Sequence, residues 1–283
     1  MLLKTEPLNE HFGAEILGLD LRDAMTPEIE QTIKKLFLTH QLLYFRGQDL
    51  SPDDHVRFGK IFGELQIHVM NQYHESEHPE LYRLSNIGED GKPNGKFPDK
   101  GTHAWHTDAS WQPLTGGATI IFCERATTRG GETHFCDMYR AYDRLPSLWI
   151  HRLDGKRAAH SLDFSRNRRH GEQPMTEKQK KSTPSVDHPI IRTHPDTKKK
   201  TIFLGDHAEH IVGMNYETGR LWIEELNNEL IIHEDLTYRH KWAIGDLLVW
   251  DNRCLLHKVT AYDATTEGRT IRRCTTLDPR KPE

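Results

Sequence analysis

At 283 residues, the chain is long enough to bury ~70–75% of the surface its unfolded form would expose, as one large domain or two small ones. Its 38 Lys and Arg residues are interspersed with 42 Asp and Glu, for a net charge of -4, which argues against nucleic acid as the main partner. No apolar run approaches the ~20 residues of a membrane-spanning helix, and the opening segment lacks the basic region and apolar core of an export signal, so a cytoplasmic protein with no membrane partner is expected.

In chain order, Thr26-Pro27-Glu28 supplies an N-cap, a proline at the first helical position and an acid in the first turn. Ile29, Ile33, Leu36 and Phe37 then recur at helical spacing. Leu42 to Phe45 reads as a short buried strand. Ser51 opens a second helix, with Phe58, Ile61 and Phe62 inward and Gly63 at its end. The segment 86–100 is rich in Gly, Pro, Lys and Asp, and reads as a loop bordering a site. Thr119–Phe122 and Thr133–Cys136 are strand-like, and Met138–Leu145 reads as a short helix. Between Phe164 and Asp187 runs a polar stretch containing Arg166, Arg168 and Arg169, read either as a solvated excursion or as a cover over the site. Lys198–Lys200 marks a hairpin tip, Ile202–Leu204 a buried strand, and Trp222, Leu226 and Leu230 the packed stripe of a helix. Cys123, Cys136, Cys254 and Cys274 lack CxxC pairing, and are expected to be reduced and buried.

The chemistry gathers on Trp105-His106-Thr107-Asp108. On an extended strand, His106 and Asp108 leave the same face, giving half of a metal site. A second histidine, His257, follows the strand-like Leu248–Asn252. Two histidines and one carboxylate bind Fe(II) on one face and leave the opposite positions open for substrate and O2. Downstream, Arg269 and Arg273 share one face of a predicted strand, where buried guanidiniums need anions. Such an iron site commonly takes 2-oxoglutarate, whose far carboxylate suits a guanidinium clamp, here Arg269. Gly130-Gly131-Glu132-Thr133 offers a tight turn and then a hydroxyl able to share that carboxylate. The ligand segments lie 257 − 108 = 149 residues apart, which calls for a closed or double-layered sheet such as a jelly roll.

Taken together, Leu43–Gln48, Phe62–Leu65, Trp105–Asp108, Gly130–Thr133, Phe135–Met138, Arg192–Pro195, Trp250–His257 and Arg272–Leu277 resemble the taurine / 2,4-dichlorophenoxyacetate dioxygenases, and the phenoxyacetate branch more than the taurine branch. The resemblance implies a mostly β domain with flanking helices, a double-stranded β-helix (jelly roll, cupin-like), spanning residues 1–283. It implies Fe(II), 2-oxoglutarate and O2 as cofactor and co-substrates, with iron on His106, Asp108 and His257, and 2-oxoglutarate held by Arg269 and Thr133. It further implies hydroxylation of a small anionic substrate by an enzyme that forms dimers or tetramers. Arg273, His68 and Ser110 would hold the substrate's anionic head, and His207 would line its pocket. Where the phenoxyacetate branch carries a lysine, this chain has Val69-Met70-Asn71. That departure leaves aryloxyalkanoates, sulfonates and amino-acid derivatives all open as substrates. Asp108 argues against halogenation. A zinc hydrolase or a non-catalytic jelly-roll binding protein are the rivals of other classes.

Overall fold

The structure, a computed structural model, describes residues 3–169 and 175–283. Among them the strands are β1 (Lys4–Pro7), β2 (Ala14–Leu17), β3 (Leu42–Phe45), β4 (Tyr82–Ser85), β5 (Gly116–Arg125), β6 (Thr133–Asp137), β7 (Arg157–His160), β8 (Val186–Pro189), β9 (Ile191–Thr193), β10 (Lys200–Ile202), β11 (Ala208–Ile211), β12 (Thr237–His240), β13 (Leu247–Asp251), β14 (Leu255–Val259) and β15 (Thr270–Leu277). The helices are α1 (Pro27–His40), α2 (Pro52–Lys60), α3 (Met138–Arg144), α4 (Ser147–Leu153), α5 (Leu162–Arg169), α6 (Glu177–Ser182) and α7 (Tyr216–Glu225).

The helix starts follow from their capping chemistry. Thr26 accepts the Ile29 N–H, and Ser51 forms a reciprocal capping box with Asp54. α1 then lays Ile33 and Phe37, and α2 lays Val56 and Phe58, on one face of a seven-stranded sheet ordered β1-β2-β3-β13-β5-β15-β4. All its pairings are antiparallel except β2 with β3.

Alternation decides what lies on each side. In β13, Leu247 and Val249 join the helices, whereas Leu248 and Trp250 face a second apolar layer. That layer is closed by a three-stranded sheet, β12-β6-β14, which contributes Phe135 and Leu255. The next residues along, Cys136 and Leu256, point outward into a third cluster with α3, α4 and α7. The chain is thus mostly β, two facing sheets between helical layers. All four cysteines are buried free thiols, and burial pushes those of Cys123, Cys136 and Cys274 up to about 12.

Two sequence expectations need correction. The 105–108 segment is not a strand: His106 makes a single bridge to His257, and a turn begins at Asp108, with Ala109 at φ 55°. The polar stretch 164–187 is not a plain solvated excursion either. It carries the end of α5, all of α6 and the start of β8, while its residues 170–174 lie outside the described residues, as does that part of the proposed cover.

Candidate active site

Paired backbones bring the two candidate ligand histidines together. The His106 N–H donates to the His257 carbonyl at 2.9 Å, and the His257 N–H donates back at 2.8 Å. Their imidazoles lie 4.2 Å apart between centroids. Gly205 packs over this bridge at φ 113°, where a Cβ would sit 3.1 Å from the His106 Cα, so a side chain there would be both strained and crowded. His106 Nδ1 lies 2.7 Å from the Ala104 carbonyl; as the donor there, it leaves Nε2 as the lone-pair nitrogen. The Nε2 atoms of His106 and His257 stand 3.9 and 3.8 Å from the Asp108 carboxylate, beyond hydrogen-bond reach. One ligand atom from each residue lies within 4.8 Å of the others, all three side chains being buried. This donor set fits a divalent transition metal on one face: among the described residues the Nε2 atoms of both histidines make no hydrogen bond, and the buried Nδ1 of His257 has no partner either.

Asp108 is held from several sides. Thr119 donates to Oδ2 at 2.6 Å, and Arg273 donates to Oδ1 at 3.0 Å. Asn252 accepts the Asp108 backbone N–H through its side chain and the Thr107 hydroxyl through its carbonyl, while its own amide donates to Thr119. Burial opposes ionisation of Asp108, but Arg273, with the two histidines and Thr119, holds the carboxyl well below the usual range. Burial pushes the His257 imidazole well down, so it is neutral and available as a ligand. Sequence reasoning missed Thr119 and Asn252. A lone hydroxyl on the apolar β5 was the available signal for the first, and the Trp250–His257 motif already contained the second.

The remaining candidates fall into three groups. A cleft of about 60 Å³ opens on His106 and Asp108 and is lined by His68, His207 and Arg273, with Tyr82, Trp111 and Arg166 as wall residues that sequence reasoning did not assign. His68 Nδ1 accepts the Met70 N–H, and burial, with Arg273 beside it, pushes the ring down to about 3; it is a neutral group against Tyr82 and Trp111. His207 is pushed down to about 4, again by burial. Ser110 does not line the cleft. Its hydroxyl sits 3.1 Å from His207 Nδ1 and positions that ring, which differs from the substrate contact expected of it.

Arg269 and Thr133 form the third group. Asn86 fixes the Arg269 backbone by accepting its N–H at 2.7 Å. The Arg269 guanidinium is buried, and among the described residues its Nη2 has no hydrogen-bond partner and no carboxylate lies within ion-pairing distance. Burial alone pushes its pKa down. A desolvated cation without a counter-ion is costly, so this position is built for an anion. Thr133, equally buried, accepts the Trp242 indole N–H at 2.9 Å.

Residues 4–275 match the family described as taurine catabolism dioxygenase TauD, TfdA family. The chain belongs to the TauD/TfdA family. Over 98% of its length it is 35% identical to the alpha-ketoglutarate-dependent 2,4-dichlorophenoxyacetate dioxygenase of Cupriavidus pinatubonensis, covering 99% of that protein. It is 29% identical to the (S)-phenoxypropionate/alpha-ketoglutarate-dioxygenase of Sphingobium herbicidovorans, over 92% of this chain and 90% of that one. Among solved structures, AAD-2 in complex with Mn(II) and N-oxalylglycine superposes with a TM-score of 0.87 at 30% identity, covering 100% of this chain and 99% of that one. This TauD/TfdA enzyme thus shares its fold, end to end, with a protein solved with Mn(II) and N-oxalylglycine.

Behind the TauD/TfdA metal segment lies a buried ion network. Arg253 grips Asp251 with two bonds of 2.7 and 2.8 Å and reaches Asp278 at 2.9 Å and Asp196 at 2.7 Å. His194 lies 3.0 Å from Asp251 through Nε2 and accepts two backbone N–H groups at Nδ1, so the nearby His194, Asp251 and Cys254 form a structural set. The carboxyls of Asp251, Asp278 and Asp196 are held below their ordinary range, Asp196 at about 2, chiefly through Arg280. Depressed folded-state values add stability above the unfolded value of ~3.9 and lose it as pH falls through the folded ones. The melting temperature is therefore expected to fall from about pH 4 toward pH 2, and Arg280→Met should flatten that slope. Parallel slopes in both proteins would show that the network does not carry the acid sensitivity.

Proposed function

We propose that this protein is an Fe(II)- and 2-oxoglutarate-dependent dioxygenase that hydroxylates a C–H bond of a small anionic substrate, with an aryloxyalkanoate carboxylate favoured. The single observation that supports it best is the buried Arg269, without a counter-ion among the described residues, in the same chain as the buried two-histidine, one-carboxylate set. A hydrolytic zinc centre would have no use for that cation. On this reading the two facing sheets are the halves of a double-stranded β-helix, and residues 1–283 form one catalytic domain.

His106, Asp108 and His257 would hold the iron. Arg269 and Thr133 would hold the distal carboxylate of 2-oxoglutarate, Thr133 donating its hydroxyl proton while Trp242 occupies an oxygen lone pair. When bound, iron, 2-oxoglutarate and O2 supply the oxidising chemistry, with succinate and carbon dioxide as co-products. Everything else is positioning by the chain. Thr119 and Asn252 aim the Asp108 carboxylate, and Ala104 sets the His106 tautomer. The neutral His68 and His207, with Trp111 and Tyr82, surround the substrate without adding charge, and this orientation of one C–H bond is the main contribution of the protein. Hydroxylation at a carbon bearing the ether oxygen would release the aryl group as a phenol.

The test is succinate release under air with Fe(II) and 2-oxoglutarate across a panel of phenoxyacetate, taurine, alkyl sulfates and N-acyl amino acids. Stimulation by phenoxyacetate is the expected result, and no stimulation by any member refutes the assignment. Arg269→Ala should raise the apparent 2-oxoglutarate KM by ~10–100-fold, the worth of hydrogen bonds to a charged group. An unchanged co-substrate dependence would assign the anchor to another residue.

A further inference from the structure

We propose that Arg166, on α5, anchors the anionic end of the substrate in the cleft. α5 turns Leu162, Ser165 and Arg166, spaced i, i+3 and i+4, onto the cleft, with each at least nine-tenths buried, whereas Asn167 and Arg168 are exposed. A guanidinium on the buried face of a short helix needs an anion. The Asp99 carboxylate lies 3.8 Å from Arg166 Nη1, an ion pair longer than a hydrogen bond, and among the described residues the Nε and Nη2 atoms of Arg166 have no hydrogen-bond partner. Nε and one Nη are the pair that binds a carboxylate side-on.

Arg273, the other cation of the cleft, is in a different state. It donates to Asp108 at 3.0 Å and stacks on the Tyr82 ring at 4.7 Å, so its charge is already compensated. Of the two, Arg166 has the greater unmet demand. Trp111, Tyr82 and Leu162 supply apolar wall beside it. The cleft therefore suits a small amphiphilic monoanion, with its apolar or aromatic body on these side chains and its anionic group on Arg166. This extends the dioxygenase reading by naming how its substrate is recognised.

The test compares phenoxyacetate with phenoxyethanol, its uncharged counterpart, by titration calorimetry on the Fe(II)- and 2-oxoglutarate-loaded enzyme without air. Arg166→Gln should weaken phenoxyacetate binding by ~10–100-fold and leave phenoxyethanol binding within about threefold. Arg166→Lys, which keeps the charge without the planar fork, should fall between, and it serves as the deciding variant if the glutamine protein does not fold. Equal weakening of both ligands, unaltered phenoxyacetate binding in the variants, or failure of the wild-type protein to bind phenoxyacetate at millimolar concentration would overturn the proposal. Absence of succinate release by the wild-type enzyme would instead remove the dioxygenase reading, since the binding difference is measured without turnover.

Discussion

Asp108→Ala is expected to end succinate formation while the protein stays folded. The carboxylate is one of the three proposed ligands, and it is also the group on which Thr119 and Arg273 converge. Removing a residue that merely supports a metal ligand costs ~10–100-fold, so removing the ligand itself should exceed ~100-fold. Loss should appear in metal content as well as in rate. In the wild-type enzyme, adding 2-oxoglutarate to the iron-loaded protein without air should produce a chelate absorption band, and the variant should show none. Succinate release at the wild-type rate from Asp108→Ala would refute the ligand assignment.

The second large effect is on stability. Arg253→Met removes the cation shared by Asp251, Asp278 and Asp196, and leaves Asp251, at 1% exposure, with His194 and the backbone N–H of residue 253 but no guanidinium. Breaking one side of a buried ion pair costs about 3–5 kcal/mol, because a desolvated charge is left behind. For a chain of this size that corresponds to a fall in melting temperature on the order of 10 °C. Arg46→Met, by contrast, removes an exposed ion pair to Glu15 and should cost ~1 kcal/mol or less. Similar melting temperatures for both variants would mean that the network is not what secures the β13–β14 turn.

Much of this arrangement could be read from the residues. Proline after a capping Thr or Ser marked α1 and α2, and the apolar runs marked β3, β5, β6 and β13, because in each case local preference and tertiary burial agree. The HxD segment was found by chemistry, yet its backbone was misread. Spacing two apart is equally compatible with a strand and with a one-residue bridge running into a turn, and the turn is tied by Asn252, 144 residues on from Asp108, whose side chain takes the Asp108 N–H beside Ala109 at φ 55°. Arg166 was read as part of a polar stretch because a run of cations with few apolar anchors ordinarily faces water. Its inward turn depends on a cleft contributed by β4, β15 and the 99–111 segment, none of which is its neighbour in sequence. Ser110 was assigned to substrate from the family pattern. That pattern carries position along the chain and not the direction of a hydroxyl, which here is spent on His207.

The reciprocal backbone bridge between His106 and His257 has a thermodynamic corollary. Two stretches separated by 257 − 106 = 151 residues must already be zipped together before an ion can find both imidazoles, so the unfolded chain has no comparable affinity for it. An ion that prefers the folded form adds RT ln(1 + [L]/Kd) to stability, about 2.7 kcal/mol at a hundredfold excess over Kd. Iron supply would then set how long the enzyme survives in the cell as well as whether it turns over, with starvation for the metal loosening a clasp between the two halves of the chain.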